Sequence, residues 1–400
     1  MLPRPFRLAA GLAAAAAVPL AHGAGFALIE QNASGLGNAY AGQAASAQDA
    51  STIFFNPAGL TRLPDRQVVV AGHLIKPRAE FSGSSNIGGG DGGDAGDLAF
   101  VPNAYFAFRL TPEVHLGVGL NAPFGLKTEY DENWAGRTQA IKSELKTVNL
   151  NPSIGWKASE TLSFGAGVSI QYADATLTNL AGGAGLASVR GDDYGWGYNL
   201  GALWQASART RVGLAYRSEV DYTLDGEVGF SVATFLDGPV TATVTLPDSA
   251  SLSLLHTLSP AWELLADVSW TGWSDFDELR IVRDSGALLA VTPENWDDSY
   301  RYSVGVNYRH SDTLTLRGGV AYDETPVTDT FRTARIPDES RTWIAFGAQY
   351  RLSPASRIDV GYAHLFVRDA SIDKTEGPVT LTGSYDAAVD IVSAQFTHSF

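Results

Sequence analysis

The 400-residue chain has no cysteine and a single methionine, Met1. Disulfides, thiolate nucleophiles, iron–sulfur clusters and cysteine-based zinc sites are thereby excluded together. Charged residues make up only 18% of the sequence, and acids outnumber bases 43 to 28. A formal charge of −15 makes nucleic acid an unsuitable partner. The seven histidines include no H-x-x-x-H pair, and neither G-x-S-x-G nor H-E-x-x-H occurs. Nothing in the spacing assembles a catalytic set or a metal site, so the chain reads as a non-enzyme with no cofactor. Gly88 to Gly93 formally fits G-x-G-x-x-G, but no helix follows it, and the nucleotide reading fails on context. Asp91, Asp94 and Asp97 in the same stretch read as a solvated loop rather than a calcium site. Beyond the first 23 residues no apolar run approaches the roughly 20 needed for a spanning helix. Yet a mean hydropathy of −0.03 is too high for a disordered chain.

The first 23 residues have the order of a secretory leader. Arg4 and Arg7 form a basic start, Leu8 to Leu20 an apolar stretch, and Ala21 and Gly23 small residues flanking a cut before Ala24. Residues 1–23 are therefore expected to be removed, leaving 26 bases against 43 acids and a charge of −17.

From residue 66 to 400 the period is two. Tyr300, Tyr302, Val304, Val306 and Tyr308 alternate with Arg301, Ser303, Gly305, Asn307 and Arg309. The same alternation recurs at Leu162, Phe164, Val168, Ile170 and Tyr172, and again at Ile358, Val360 and Tyr362. These are strands with one apolar and one polar face. A soluble sandwich would alternate too, but its strands are about five to six residues long. Runs of ten or more suit a tilted strand crossing a bilayer. Links are short near 111–113, 158–160, 208–210, 257–260, 310–313 and 353–356. They are long near 83–97, 123–140, 177–193, 231–239, 276–297, 326–337 and 371–382. Short turns on one side and long loops on the other predict an all-β, 14-stranded antiparallel barrel of the outer-membrane type. Closure is required, because lipid leaves no partner for an open edge. Trp156, Trp204, Trp262 and Trp270 fall at strand ends, as interfacial girdles need. The last strand places Val392, Ala394, Phe396, His398 and Phe400 on one face, a pattern similar to the assembly signal of outer-membrane proteins.

Residues 24–65 do not alternate. Small residues and turn formers dominate, as in Ser34-Gly35-Leu36-Gly37 and Asn56-Pro57-Ala58. Some forty residues of compact non-strand chain ahead of a wide barrel suit a lumenal plug, or hatch.

In order along the chain come Gly25-Phe26, Ser34-Gly35-Leu36-Gly37-x-Ala39-Tyr40-x-Gly42, Asn56-Pro57-Ala58 and Trp134-Ala135-Gly136-Arg137. Asn149-Leu150-Asn151, Trp270-Thr271-x-Trp273-Ser274-x-Phe276, Arg335-Ile336-Pro337-Asp338-x-x-Arg341-x-Trp343 and Asp359-Val360-Gly361-Tyr362 follow. This ordered set resembles the FadL-type outer-membrane transporters of long-chain fatty acids and other hydrophobic compounds. The resemblance implies a barrel plugged by an N-terminal hatch and passive uptake. Substrate would be caught in an apolar groove among extracellular loops, pass a lumen site as the hatch shifts, and leave sideways through the wall. The implied surroundings are bacterial outer-membrane lipid, lipopolysaccharide and the outer-membrane assembly machinery. Distant alternatives are a barrel-embedded hydrolase or an adhesin.

Several residues are candidates for substrate contact. Phe124, Leu126, Leu177, Leu180, Leu186, Phe235 and Leu236 are apolar residues in long links. Phe26, Leu28, Ile53, Phe54, Phe55 and Leu60 are the large apolar residues of the hatch. Pro57 and Gly35, Gly37 and Gly59 suit a movable element. By parity Arg217, Arg301, Arg317, Arg351 and Arg357 face the lumen, where one, with Arg217, Arg301 and Arg317 the candidates, could hold a carboxylate or pair with Glu219, Asp267, Asp323 or Asp359. Matching to the fatty-acid members puts their basic head-group residues near Asn179 and Thr292, neither of which is basic. That favours an uncharged aliphatic or aromatic hydrocarbon.

Overall fold

The computed structural model describes residues 25–400; the expected leader lies outside them. Fourteen antiparallel strands form the wall: β1 (Arg66–Ser85), β2 (Ala99–Arg109), β3 (Val114–Asn121), β4 (Lys142–Lys157), β5 (Leu162–Leu180), β6 (Leu186–Ser207) and β7 (Thr210–Arg217), then β8 (Ser249–Ser259), β9 (Trp262–Thr271), β10 (Ser299–Arg309), β11 (Leu314–Asp323), β12 (Arg341–Arg351), β13 (Ser356–Val367) and β14 (Val379–Ser399). Each pairs with the next, and β14 returns to β1 from Gln67↔Ser399 to Ser85↔Leu381, closing the barrel. Alternation becomes burial: in β10 Tyr300, Tyr302 and Val304 face outward and are exposed, while Ser299, Arg301 and Ser303 are buried. Trp156, Trp204, Trp262 and Phe400 are exposed aromatics at the short-turn end, where amphipathic rings settle at a membrane–water interface.

Several stretches expected to be loops are strand. Residues 177–193 belong to β5 and β6 except for a turn at 181–185. The stretch 276–297 contains the hairpin Glu278–Arg283 with Leu288–Pro293, and 371–382 largely continues the sheet. The reason is environmental. Above the bilayer the outer face of a strand can be polar, so alternation fades while backbone pairing, as at Asp174↔Asp192, continues.

The hatch fills the lumen with three four-residue helices, α1 (Ala33–Leu36), α2 (Gln43–Ser46) and α3 (Thr52–Phe55), and a 3-10 turn over Pro57–Arg62. Asn32 caps α1 by accepting from the Gly35 amide at 2.8 Å. Asn56 accepts from the Ala58 amide with Pro57 at the first position of the turn, so the Asn-Pro-Ala motif is a helix start. Ser34 donates to Asp49 at 2.8 Å, and Gln395 of β14 donates to the same carboxylate. A Cβ on Gly37 would lie 2.7 Å from the Gly347 Cα, so hatch and wall backbones touch where only glycine fits.

The wall has one break beside the hatch. β2 and β3 pair only from Arg109↔His115 to Ala104↔Leu120. Beyond Asn121 the chain turns inward through buried Ala122 and Phe124, and rejoins the sheet at Gly125–Glu129 against β4. Ala99–Asn103 of β2 consequently pair with β1 alone. Exposed Leu74, Phe100 and Leu120 flank this stretch, which marks it as lipid-facing. An unpaired edge at that depth is costly. The hatch pairs with the inward kink and not with the backbone of this edge: Leu28 N donates to Pro123 O at 2.8 Å, Gly125 N to Phe26 O at 2.9 Å, and Gln31 Nε2 to Ala122 O at 2.9 Å.

Candidate functional site

Two apolar cavities lie on either side of the first hatch residues. The outer one sits between the upper strands and the 276–297 segment. Leu126, Leu145, Ala173, Leu177, Leu224, Val244, Phe276, Ile281 and Ile336 line it. Its few polar groups include Glu294, which burial pushes up to about 8 and which accepts from Trp296 Nε1 at 3.0 Å. The Glu294 carboxyl therefore keeps its proton at neutral pH, while Glu144, paired with Lys142 and Lys146, and the guanidinium groups of Arg190 and Arg335 bring charge to the same lining.

The inner cavity is lined by Leu28, Phe54, Phe55, Pro57, Pro123, Phe124 and Trp343, together with Arg217, Arg301 and Asp323. Phe26 lines the outer cavity while Ala27 and Leu28 line the inner one, so one short segment divides them. Its ring is edge-on to Trp273 at 4.6 Å and close to Phe276 at 5.9 Å and Trp296 at 5.7 Å. Gly25 has φ +62°, and a Cβ there would strike Trp273 and Trp296, so glycine is needed to turn the chain under this cluster. The Gly25 amide donates to Asp338 at 3.1 Å, fixing the start of the described chain to the extracellular side.

The arginines separate into two kinds. Arg317 donates to Asp359 at 2.6 Å and to Gln48 at 3.0 Å, under the hatch and away from both apolar cavities. The lumen-acid pairing accounts for it, and it is not a carboxylate partner of this cavity. Arg217 and Arg301 make no ion pair among the described residues. Arg217 stacks over Phe54 at 4.3 Å and donates to Phe54 O at 3.0 Å and Ser169 at 2.9 Å. Arg301 stacks over Trp343 at 4.9 Å and donates through Nη2 to Ala39 O at 2.7 Å, while its Nε and Nη1 make no hydrogen bond. Cation–π stacking returns about 0.5–2 kcal/mol per cation, less than the cost of burying an unpaired charge. Two lumenal guanidinium groups without an ion pair among the described residues thus line an apolar cavity, and the carboxyl group of Asp323 lines it with them.

The other sequence candidates divide as follows. Phe26, Leu28, Phe54, Phe55, Phe124, Leu126 and Leu177 line one cavity or the other. Leu60 packs with Ile53 and Tyr105 beneath α3 and lines neither apolar cavity. Leu180 and Leu186 flank the 181–185 turn, and Phe235 is 85% exposed beside Leu236 at a hairpin tip. None of these four reaches the groove, because the hairpins project above it. Asn179 donates to Thr138 O, so the cations stand beside the hatch and not there. Trp273, Trp296, Trp343, Leu145, Leu224 and Val244 were not singled out by sequence. Inward parity marks Trp343, and Trp273 belongs to a quoted motif.

A family model described as outer membrane protein transport protein (OMPP1/FadL/TodX) matches residues 12–400. The long-chain fatty acid transport protein of Escherichia coli K12 is 30% identical over 404 residues, covering 89% of this chain and 90% of its own. Outer membrane protein P1 of Haemophilus influenzae is 32% identical over 399 residues, covering 86% of both. Among solved structures, a Pseudomonas aeruginosa FadL homologue superposes with TM-score 0.89 at 25% identity, covering 94% of this chain and 100% of that one. The Pseudomonas putida toluene transporter TodX gives 0.73 at 19% identity, with the same coverage, a likeness of fold.

Proposed function

The chain belongs to the outer membrane protein transport family that includes FadL and TodX, and from that premise we propose that it carries long-chain fatty acids passively across the outer membrane. The observation that supports this reading is the inner cavity, whose aromatic and aliphatic lining includes two cations with no ion pair among the described residues, Arg217 and Arg301. An acyl chain gains about 0.8 kcal/mol for each buried methylene, so the outer groove captures it from water. Displacement of Phe26 joins the two cavities, and the carboxylate then meets the guanidinium groups. Exit runs sideways past Leu28 and Gln31 through the unpaired stretch of β2, directly into lipid. No step uses a covalent intermediate or an energy source. Phe400, exposed at the end of an alternating strand, supports handling by the outer-membrane assembly machinery.

Uptake tests this proposal. Cells producing the chain should take up labelled palmitate faster than cells lacking it, and Phe26→Ala should change that rate. Equal uptake with and without the chain, in a strain with no relative expressed, refutes the reading. Uptake of toluene or hexadecane but not palmitate selects the hydrocarbon alternative.

A further inference from the structure

Arg301 does two things at once. Arg301 lines the inner cavity with its Nε and Nη1 buried and without a hydrogen-bond partner among the described residues, and its Nη2 holds the carbonyl of Ala39 at 2.7 Å. Ala39 and Tyr40 are consecutive non-glycine residues with positive φ, 49° and 56°. That left-handed backbone is strained in residues bearing a Cβ, and it persists only where surrounding contacts hold it. Arg217 repeats the arrangement, lining the same cavity and holding Phe54 O at the end of α3. The strained turn is tied to the wall break. Tyr40 OH donates to Asn32 O at 3.1 Å, and neighbouring Gln31 donates to Ala122 O in the inward kink and accepts from Asn103 of β2 at 3.1 Å.

We infer that Arg301 is a latch: a carboxylate arriving in the inner cavity draws the guanidinium off Ala39 O, the strained Ala39–Tyr40 turn relaxes, and the hatch loosens at the wall break. A carboxylate outcompetes a neutral carbonyl for a guanidinium because it adds the attraction of opposite charges and can accept two parallel N–H bonds from the guanidinium fork. An uncharged hydrocarbon of equal length fills the same cavity without engaging the latch. Arg301 is thus a positioning residue for the hatch as well as a ligand contact. The inference rests on the fatty-acid reading above and assigns the trigger within it.

The chain has no cysteine, so one introduced thiol is an unambiguous reporter. Ala41, fully buried next to the turn, is replaced by Cys in the full-length protein, and its labelling by a small maleimide is timed in detergent. Palmitate or hexadecane is added, and tryptophan fluorescence follows binding in the same sample. Palmitate should raise the labelling rate on the order of tenfold, within the usual span of ligand-coupled equilibria, and hexadecane should leave it unchanged. Arg301→Gln should label fast without ligand and ignore palmitate. Ala39→Gly, which relieves the strain while keeping the bond to Arg301, should slow palmitate-triggered labelling and guards against a misfolded Arg301 variant. Saturating palmitate that leaves labelling at the ligand-free rate overturns the latch alone, as does equal acceleration by hexadecane. A failure of palmitate to bind at all overturns the fatty-acid reading, and the latch falls with it.

Discussion

Replacing Arg217 or Arg301 by Met should convert the inner cavity from one that prefers fatty acids to one that does not discriminate. Methionine keeps much of the stem volume and removes the charge. A hydrogen bond to a charged group contributes about 1.5–3 kcal/mol, and 1.4 kcal/mol is tenfold in affinity. Each substitution should therefore weaken palmitate binding by roughly 10- to 100-fold. Hexadecane affinity should fall by less than palmitate affinity, because the hydrocarbon carries no charge for the guanidinium to meet. Removing Arg301 also removes its bond to Ala39 O, so hatch seating must be checked in each variant by thermal unfolding. The assay is ligand titration followed by tryptophan fluorescence, with Trp343 as a cavity-lining probe. Equal losses for palmitate and hexadecane would refute the reasoning, as would palmitate binding indifferent to both substitutions.

Three further outcomes follow from the geometry. Burial pushes the hatch carboxyl Glu30 up to about 7, and its Oε2 has no partner. A docked value above the free one means docking is strongest below pH 4.5 and weakens by about 3 kcal/mol as pH rises to 7; Glu30→Gln should abolish that slope in thermal midpoints measured from pH 4 to 8. Gly37→Val should drive a side chain into the Gly347 backbone and destabilise hatch seating by about 1–3 kcal/mol, read as a lower unfolding midpoint with the barrel's strand content intact. Phe235→Ser should leave palmitate uptake unchanged, because this residue is outside the groove; a marked loss would place the capture site at the hairpin tip.

Alternation was enough to read the barrel, its strand number and its inward-facing arginines, because a wall between lipid and lumen imposes a period of two on every strand. What alternation does not carry is register. Arg217, Arg301 and Arg317 have the same parity, yet Arg317 reaches Asp359 two strands away across Gly347, and the other two find aromatic faces. Their different roles depend on pairings dozens of residues apart. The break at Ala122–Phe124 was equally hidden: Pro123 reads locally as part of a loop, and the hatch amides that accompany the inward turn come from residues 26–31. The polar upper strands were read as loops because the lipid that enforces alternation ends below them.

The direction of exit follows from what lies under the hatch. Gln48, Glu263, Asn307, Arg309 and Arg357 surround one polar space there, and Arg62, Lys157, Glu160, Gln205 and Arg211 surround another. An acyl chain crossing either would forfeit about 0.8 kcal/mol for each methylene that it exposes. The hatch is also fixed at this floor, where Arg211 holds the Ala45 and Ser46 carbonyls and Arg357 holds Gln48 O. Clearing a straight path breaks these charge-assisted bonds together. Clearing the side path breaks the two backbone bonds of Phe26 and Leu28 to the inward kink and those of Gln31. The vacated space opens between Phe100 and Leu120, both exposed toward lipid. The sideways route therefore asks for the smaller rearrangement and keeps the acyl chain in apolar surroundings throughout.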